Sequence, residues 1–175
     1  MKDSLFEKFK NKELNVDKFT AIVEISKGSK NKYEYDRETG LLKLDRILYT
    51  STHYPHNYGF IPLTLDDDGD PLDVLIISSE PIVPLSTVEC KAIGVLEMID
   101  GGLIDYKLMA VCLNDPFYNN FNDISELPNH ISDEIQHFFQ VYKLLENKST
   151  KIGNMIGKEF ASEVIKKCVE QYKKS

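Results

Sequence analysis

The chain has 175 residues, 42% of them apolar and 28% charged, ordinary values for a globular protein with one domain (1–175) and a real core. Its net charge of −7 speaks against a generic nucleic-acid or anionic-membrane surface. Three cysteines with no C-x-x-C pair read as reduced thiols in a cytoplasm, the opening MKDSLFEKFKNKEL has no apolar run of signal-peptide length, and no stretch approaches a membrane span.

Residues 3–12 are expected as a short, weakly amphipathic helix through Leu5, Phe6 and Phe9. FTAIVEIS is rich in β-branched residues and reads as a strand. KYEYDRETGLLKLDR reads as two strands joined at Glu38-Thr39-Gly40, with YGFIP a further strand. DVLII and TVECKAIGVLEMI are apolar strands, and DYKLMAVCL follows the second across Gly101-Gly102, a hairpin signal. Cys90 and Cys112 fall inside these runs, where a buried inert thiol is expected. Beyond Pro128, Ile131, Ile135, Phe138, Tyr142 and Leu145 recur at helical spacing, predicting an amphipathic helix over 128–146. A second helix is predicted over 157–173 from Phe160, Val164, Cys168 and Tyr172, with ENKSTKIGN between the two as a polar loop. Strands first and helices last argue for an α+β fold with a mainly antiparallel sheet or small barrel.

Charge is unevenly spread. Residues 64–115 carry eleven acidic side chains against only Lys91 and Lys107. The densest part is LDDDGDPLDVLII, with five aspartates in positions 66–73 ahead of an apolar strand. If the chain is extended through Asp68-Gly69-Asp70, both carboxylates share one face, and Asp73 returns to the same spot. Such oxygens are hard ligands, suited to Mg²⁺, Ca²⁺ or Mn²⁺. Asp100 and Asp105 flank the Gly101-Gly102 turn, with Lys107 two positions on. Lys32, Arg46 and Lys143, with the phenols of Tyr33, Tyr54, Tyr58 and Tyr142, complete the composition of a polyanion site. A solvated acidic turn competes with this reading. An EF-hand calcium loop would need ligands where Thr64 and Leu75 stand. His53 and His56 around Pro55 make no recognised ligand pair, and His130 and His137 read as helix-surface or subunit-contact residues.

Several of these pieces resemble one family. DGDPLDV is similar to the D-x-D-P-x-D signature of soluble family I inorganic pyrophosphatases, bacterial type. VEI with Glu24, KYE with Lys32 and Glu34, LDR with Arg46, YPHNYGFIP with Tyr58, D-x4-D-x-K at Asp100, Asp105 and Lys107, and HFFQVYK with Tyr142 and Lys143 follow in the family's order. The resemblance implies a five-stranded, OB-like barrel with two C-terminal helices packed outside, and hydrolysis of diphosphate to two orthophosphates. It implies several Mg²⁺ ions, Mn²⁺ or Zn²⁺ being substitutes, on Asp68, Asp73, Asp100 and Asp105, with Glu24 and Glu34 in support. Lys32, Arg46, Tyr58, Lys107, Tyr142 and Lys143 would hold phosphate oxygens, and Asp70 would take the proton from a metal-activated water. A cytoplasmic homohexamer is also implied. Asp66 and Asp67 match no ligand position and read as solvated. The chain departs from many bacterial members in having no tryptophan after Lys143, and Gly101 where an acidic residue is frequent. Two other readings are a non-catalytic ion-binding module on the same barrel and an aspartate-nucleophile phosphatase, whose parallel α/β core the order of elements does not suggest.

Overall fold

The computed structural model describes Phe9 and residues 14–175, so the expected helix over 3–12 lies outside the described residues apart from Phe9. Among the described residues there are nine strands and two α-helices: β1 (Phe19–Ile25), β2 (Asn31–Asp36), β3 (Leu41–Ile47), β4 (Asn57–Phe60), β5 (Asp73–Ile77), β6 (Thr87–Asp100), β7 (Leu103–Ile104), β8 (Lys107–Cys112), α1 (Asn129–Val141), β9 (Thr150–Gly157) and α2 (Lys158–Lys174). Strands β1, β4, β5, β8 and β6 pair in that order, and β6 pairs back onto β1, closing a five-stranded ring. Every pairing is antiparallel except β5 with β8.

The period of two along each strand sorts its side chains between two apolar layers. Val74 and Ile76 of β5, with Leu108 and Ala110 of β8, join one layer, which α2 covers with Ala161, Val164, Ile165 and Cys168. Leu75, Ile77, Met109 and Val111 join the other, which α1 covers with Ile135, Phe138 and Phe139. Each such side chain contributes roughly 1.5–3 kcal/mol on burial, and these strands are buried on both faces, which explains their unbroken apolar runs.

Local chemistry accounts for several boundaries. Gly59 of β4 faces β1 so closely that a Cβ there would lie 1.9 Å from the Ile22 carbonyl oxygen, next to a register shift in β1 between Val23 and Ile25. Helix α1 is shorter than its periodicity suggested: it ends at Val141, and a 3-10 turn over Leu144–Glu146 follows. The stretch expected as a polar loop contains β9, which pairs antiparallel with the outer half of β6 from Gly94↔Gly157 to Asp100↔Thr150. Backbone hydrogen bonds offered by the long β6 organise this segment, in which Lys151, Gly153, Asn154 and Gly157 interrupt the β-branched Thr150, Ile152 and Ile156. The Gly101-Gly102 turn does close a hairpin, but onto the two-residue β7, with Ile99 opposite Ile104. Asp105 and Tyr106 then break the ladder before β8. Among the described residues no helix is long and apolar enough to cross a membrane.

Candidate active site

The parallel pairing of β5 with β8 sets the centre of the site. Asp73 and Lys107 are register partners at the two strand starts, so their side chains emerge side by side. Lys107 Nζ lies 2.5 Å from Asp73 Oδ2 and 2.6 Å from Asp105 Oδ1. It also stands 5.7 Å from the Tyr58 ring centre. Burial opposes the charge on Lys107, but Asp73 and Asp105 more than offset it and hold the ammonium's pKa above its ordinary value.

The aspartate run reaches the same place through a turn, not an extended segment. Asp66 N–H donates to the Asp70 carbonyl at 2.7 Å, and Gly69 N–H to the Asp66 carbonyl at 3.1 Å. Gly69 has φ +90°, which side-chain-bearing residues rarely adopt. Asp70 N–H donates to Asp68 Oδ1 at 3.0 Å, so the two carboxylates meet by curling and not by strand alternation. Thr64 anchors the base of the loop: its hydroxyl donates to the Ile61 carbonyl and accepts from Leu72 N–H.

Around this centre one cleft is lined by Glu24 from β1, Lys32 and Glu34 from β2, Tyr58 from β4, Asp68 and Asp70 from the turn, Asp73, Asp100, Asp105 and Lys107, and Tyr142 and Lys143 from the end of α1. Every predicted site residue except Arg46 and Tyr54 is therefore brought together, Tyr54 lying in the apolar core instead. Arg46 pairs with Asp45, and its Nε lies 2.8 Å from Glu146 Oε1. Lys143 pairs with Asp100, and Lys32 with Glu34. Tyr33, Tyr35, Phe60 and Arg37 also line the cleft. Arg37 was not singled out from the sequence. The chain has only two arginines, Arg37 and Arg46, both on the β2–β3 hairpin, and that scarcity was the available signal. His56 is buried and held neutral, its pKa pushed down to about 4 by burial and then by Lys27, and neither it nor His53 lines the cleft.

Seven carboxylates and four cationic side chains line the cleft, so it carries an excess of acid. The carboxyls respond. Burial raises the Glu24 pKa to about 8, against a 2.7 Å hydrogen bond from Tyr35 N–H that favours the ionised form. Burial raises Asp105 to about 6, with Lys107 opposing it and Asp73 adding to it. Asp70 is raised by burial and then by its neighbours Asp68 and Asp73. Burial also keeps the Tyr58 and Tyr142 phenols above their ordinary range, so both are neutral donors near pH 7. Among the described residues no three acidic or histidine side chains close on one point as a ready-made cage. The ammonium group of Lys107 stands between Asp73 and Asp105, and that of Lys143 pairs with Asp100. The donor set nevertheless fits hard divalent cations: its candidate ligands are all carboxylate oxygens, and they outnumber the cationic side chains of the cleft.

Of Asp66 and Asp67, both expected to be solvated, Asp67 is exposed and Asp66 is not. Asp66 is buried and accepts from backbone N–H groups. Asp67 binds Lys167 Nζ at 2.6 Å and Gln171 Nε2 at 3.0 Å on α2.

The family model described as inorganic pyrophosphatase matches residues 21–173. Soluble inorganic pyrophosphatase 1 of Arabidopsis thaliana is 50% identical over 154 residues, 88% of this chain and 73% of that protein. The soluble inorganic pyrophosphatase of Zea mays is also 50% identical over 154 residues, 88% of this chain and 72% of that protein. Among solved structures, the inorganic pyrophosphatase of Helicobacter pylori superposes with a TM-score of 0.89 at 41% identity, covering 94% of this chain and 99% of that one. The Thermus thermophilus inorganic pyrophosphatase gives 0.87 at 39% identity, covering 93% and 98%.

Proposed function

The chain belongs to the inorganic pyrophosphatase family and is an inorganic diphosphatase; from that premise we propose that it works with Mg²⁺ and that Asp70 is its general base. The observation that carries this reading is the excess of carboxylate over cationic side chains in a single cleft. Diphosphate is itself a polyanion, so such a cleft repels its own substrate unless cations enter with it. Asp68, Asp73, Asp100 and Asp105, with Glu24 and Glu34 behind them, would hold divalent ions of the Mg²⁺ class, with Mn²⁺ or Zn²⁺ as substitutes, which would supply that charge and make a nearby water more acidic.

The chain's own groups do the rest. Lys32, Lys107 and Lys143 meet phosphate oxygens with fixed positive charge, and Arg46 adds to it from the rim, where it is the register partner of Lys32. Tyr58 and Tyr142 donate neutral O–H groups to the same oxygens. Asp70 takes the proton of the attacking water, and its raised pKa brings it closer to the pH at which a base is both ionised and effective. The exposed apolar residues Leu41, Leu44 and Ile47 on β3 support a homo-oligomer, a hexamer by resemblance, which light scattering on the purified protein tests. Three free, buried thiols support a reducing compartment such as the cytoplasm.

The decisive experiment is orthophosphate release from diphosphate with Mg²⁺, with excess EDTA, and in Asp70→Asn. EDTA abolishes release, and Asp70→Asn keeps metal binding while losing roughly 10²–10⁴-fold in kcat. Near wild-type turnover in that variant sinks the role given to Asp70. A trapped phosphoaspartate would replace the mechanism with a covalent one.

A further inference from the structure

Asp66 lies two positions before Asp68, yet it does not line the cleft. It is 4% exposed, and among the described residues no cation hydrogen-bonds to it, Lys167 acting on it only through space. Its Oδ1 accepts from Asp67 N–H at 2.8 Å, within the aspartate turn. Its Oδ2 accepts at 3.3 Å from the N–H of Tyr106, the residue between Asp105 and Lys107. Cys168 Sγ of α2 lies 3.8 Å from Oδ1, and Leu65 N–H donates to the Cys168 carbonyl at 2.9 Å. One carboxylate thus ties together three segments distant in sequence: the turn bearing Asp68 and Asp70, the link bearing Asp105 and Lys107, and the C-terminal helix.

A negative group beside Asp67 and Asp68, buried with no cation hydrogen-bonded to it among the described residues, is unfavourable on charge alone. An apolar side chain of similar size would fill the space but leave the N–H groups of Asp67 and Tyr106 without their acceptor. Geometry is what Asp66 provides. We propose that Asp66 is a positioning residue of the diphosphatase site, holding the Asp68–Asp70 turn in register with Asp105 and Lys107 so that the three carboxylates and the ammonium act at one place. The proposal rests on the assignment of Asp68, Asp70 and Asp105 to the working site.

The test uses the full chain, with calorimetric titration of Mg²⁺ alone, orthophosphate release across Mg²⁺ concentrations, and a thermal melt of each variant. Asp66→Ala weakens Mg²⁺ binding about tenfold, equivalent to about 1.4 kcal/mol, and lowers kcat at saturating Mg²⁺. Asp66→Asn, which keeps one acceptor oxygen, shows a smaller loss of the same kind. Asp67→Ala, which removes only the pairing to Lys167 and Gln171 at the surface, leaves both quantities unchanged. If folded Asp66→Ala keeps wild-type Mg²⁺ affinity and kcat and loses only melting temperature, the residue is merely structural and the proposal is overturned. If Asp66→Ala does not fold, unchanged affinity and kcat in Asp66→Asn overturn it equally. An Asp67→Ala loss as large as that of Asp66→Ala points to general charge instead of position, and also overturns it. Asp68→Asn separates the two levels: if it binds Mg²⁺ normally, the site assignment itself falls, and the role of Asp66 falls with it.

Discussion

Glu24→Gln is expected to stabilise the metal-free protein, and more so as pH rises. Glu24 is 9% exposed on β1, and burial lifts its pKa from 4.5 to about 8. A carboxyl raised in this way is neutral when folded and ionised when unfolded over that interval. The stability it contributes is therefore intact below pH 4.5 and lost as pH rises towards 8. At about 1.4 kcal/mol per pH unit, the loss is under ~1 kcal/mol at pH 5 and about 4 kcal/mol at pH 8. Glutamine keeps an acceptor for Tyr35 N–H and cannot ionise, so it removes the loss without removing the hydrogen bond. Urea unfolding in EDTA at pH 5 and pH 8, for wild type and variant, measures this directly. A gain at pH 8 no larger than at pH 5, or a loss at pH 8, would refute the assignment of a buried, reluctantly ionised Glu24. In Mg²⁺ the order reverses, because the variant has given up a charge that the cations use.

Lys107→Met leaves the half-buried Asp73 and the buried Asp105 without their shared ammonium, at a cost of about 3–5 kcal/mol in EDTA. Mg²⁺ should then raise the variant's melting temperature by more than it raises that of wild type. An equal rise in both would show that ion and ammonium do not serve the same carboxylates. Gly59→Ala forces a Cβ against the Ile22 carbonyl and is expected to destabilise by more than ~3 kcal/mol in chemical denaturation. A loss under ~1 kcal/mol would mean that β1 and β4 part easily. The thiols of Cys90, Cys112 and Cys168 are buried, and burial holds Cys168 up at about 12, so a disulfide reagent should label none in the native protein and three after unfolding.

Most of the cleft was legible because its residue types are unusual for their surroundings. Aspartates ahead of an apolar strand, and a lone lysine behind Asp105, have no packing reason to be there. Their spacing also survives any change of backbone path, which is why Asp68 and Asp70 converge although the chain curls where it was read as extended. Asp66 was illegible for the complementary reason. Nothing in a run of aspartates says which member meets Tyr106 N–H, forty positions away. Strand β9 was hidden because its stability lies in the edge that β6 offers and not in its own lysine, asparagine and glycines. Arg46 bears the right chemistry, but the partner that turns its guanidinium, Glu146, lies a hundred positions on.

The parallel contact between β5 and β8 has a consequence for timing. Its two strands are joined through the long β6, which must leave the ring's edge, turn at Gly101-Gly102 and return before Lys107 can stand beside Asp73. Until that insertion the ring is open, and Asp73 faces no ammonium. The chain therefore cannot acquire a partial site element by element during synthesis. Tyr142 and Lys143 emerge later still, and long-range closure is the slow part of folding. A ribosome-bound chain stopped before residue 107 should hold aspartates but no centre, so catalytic competence arrives late and nearly all at once.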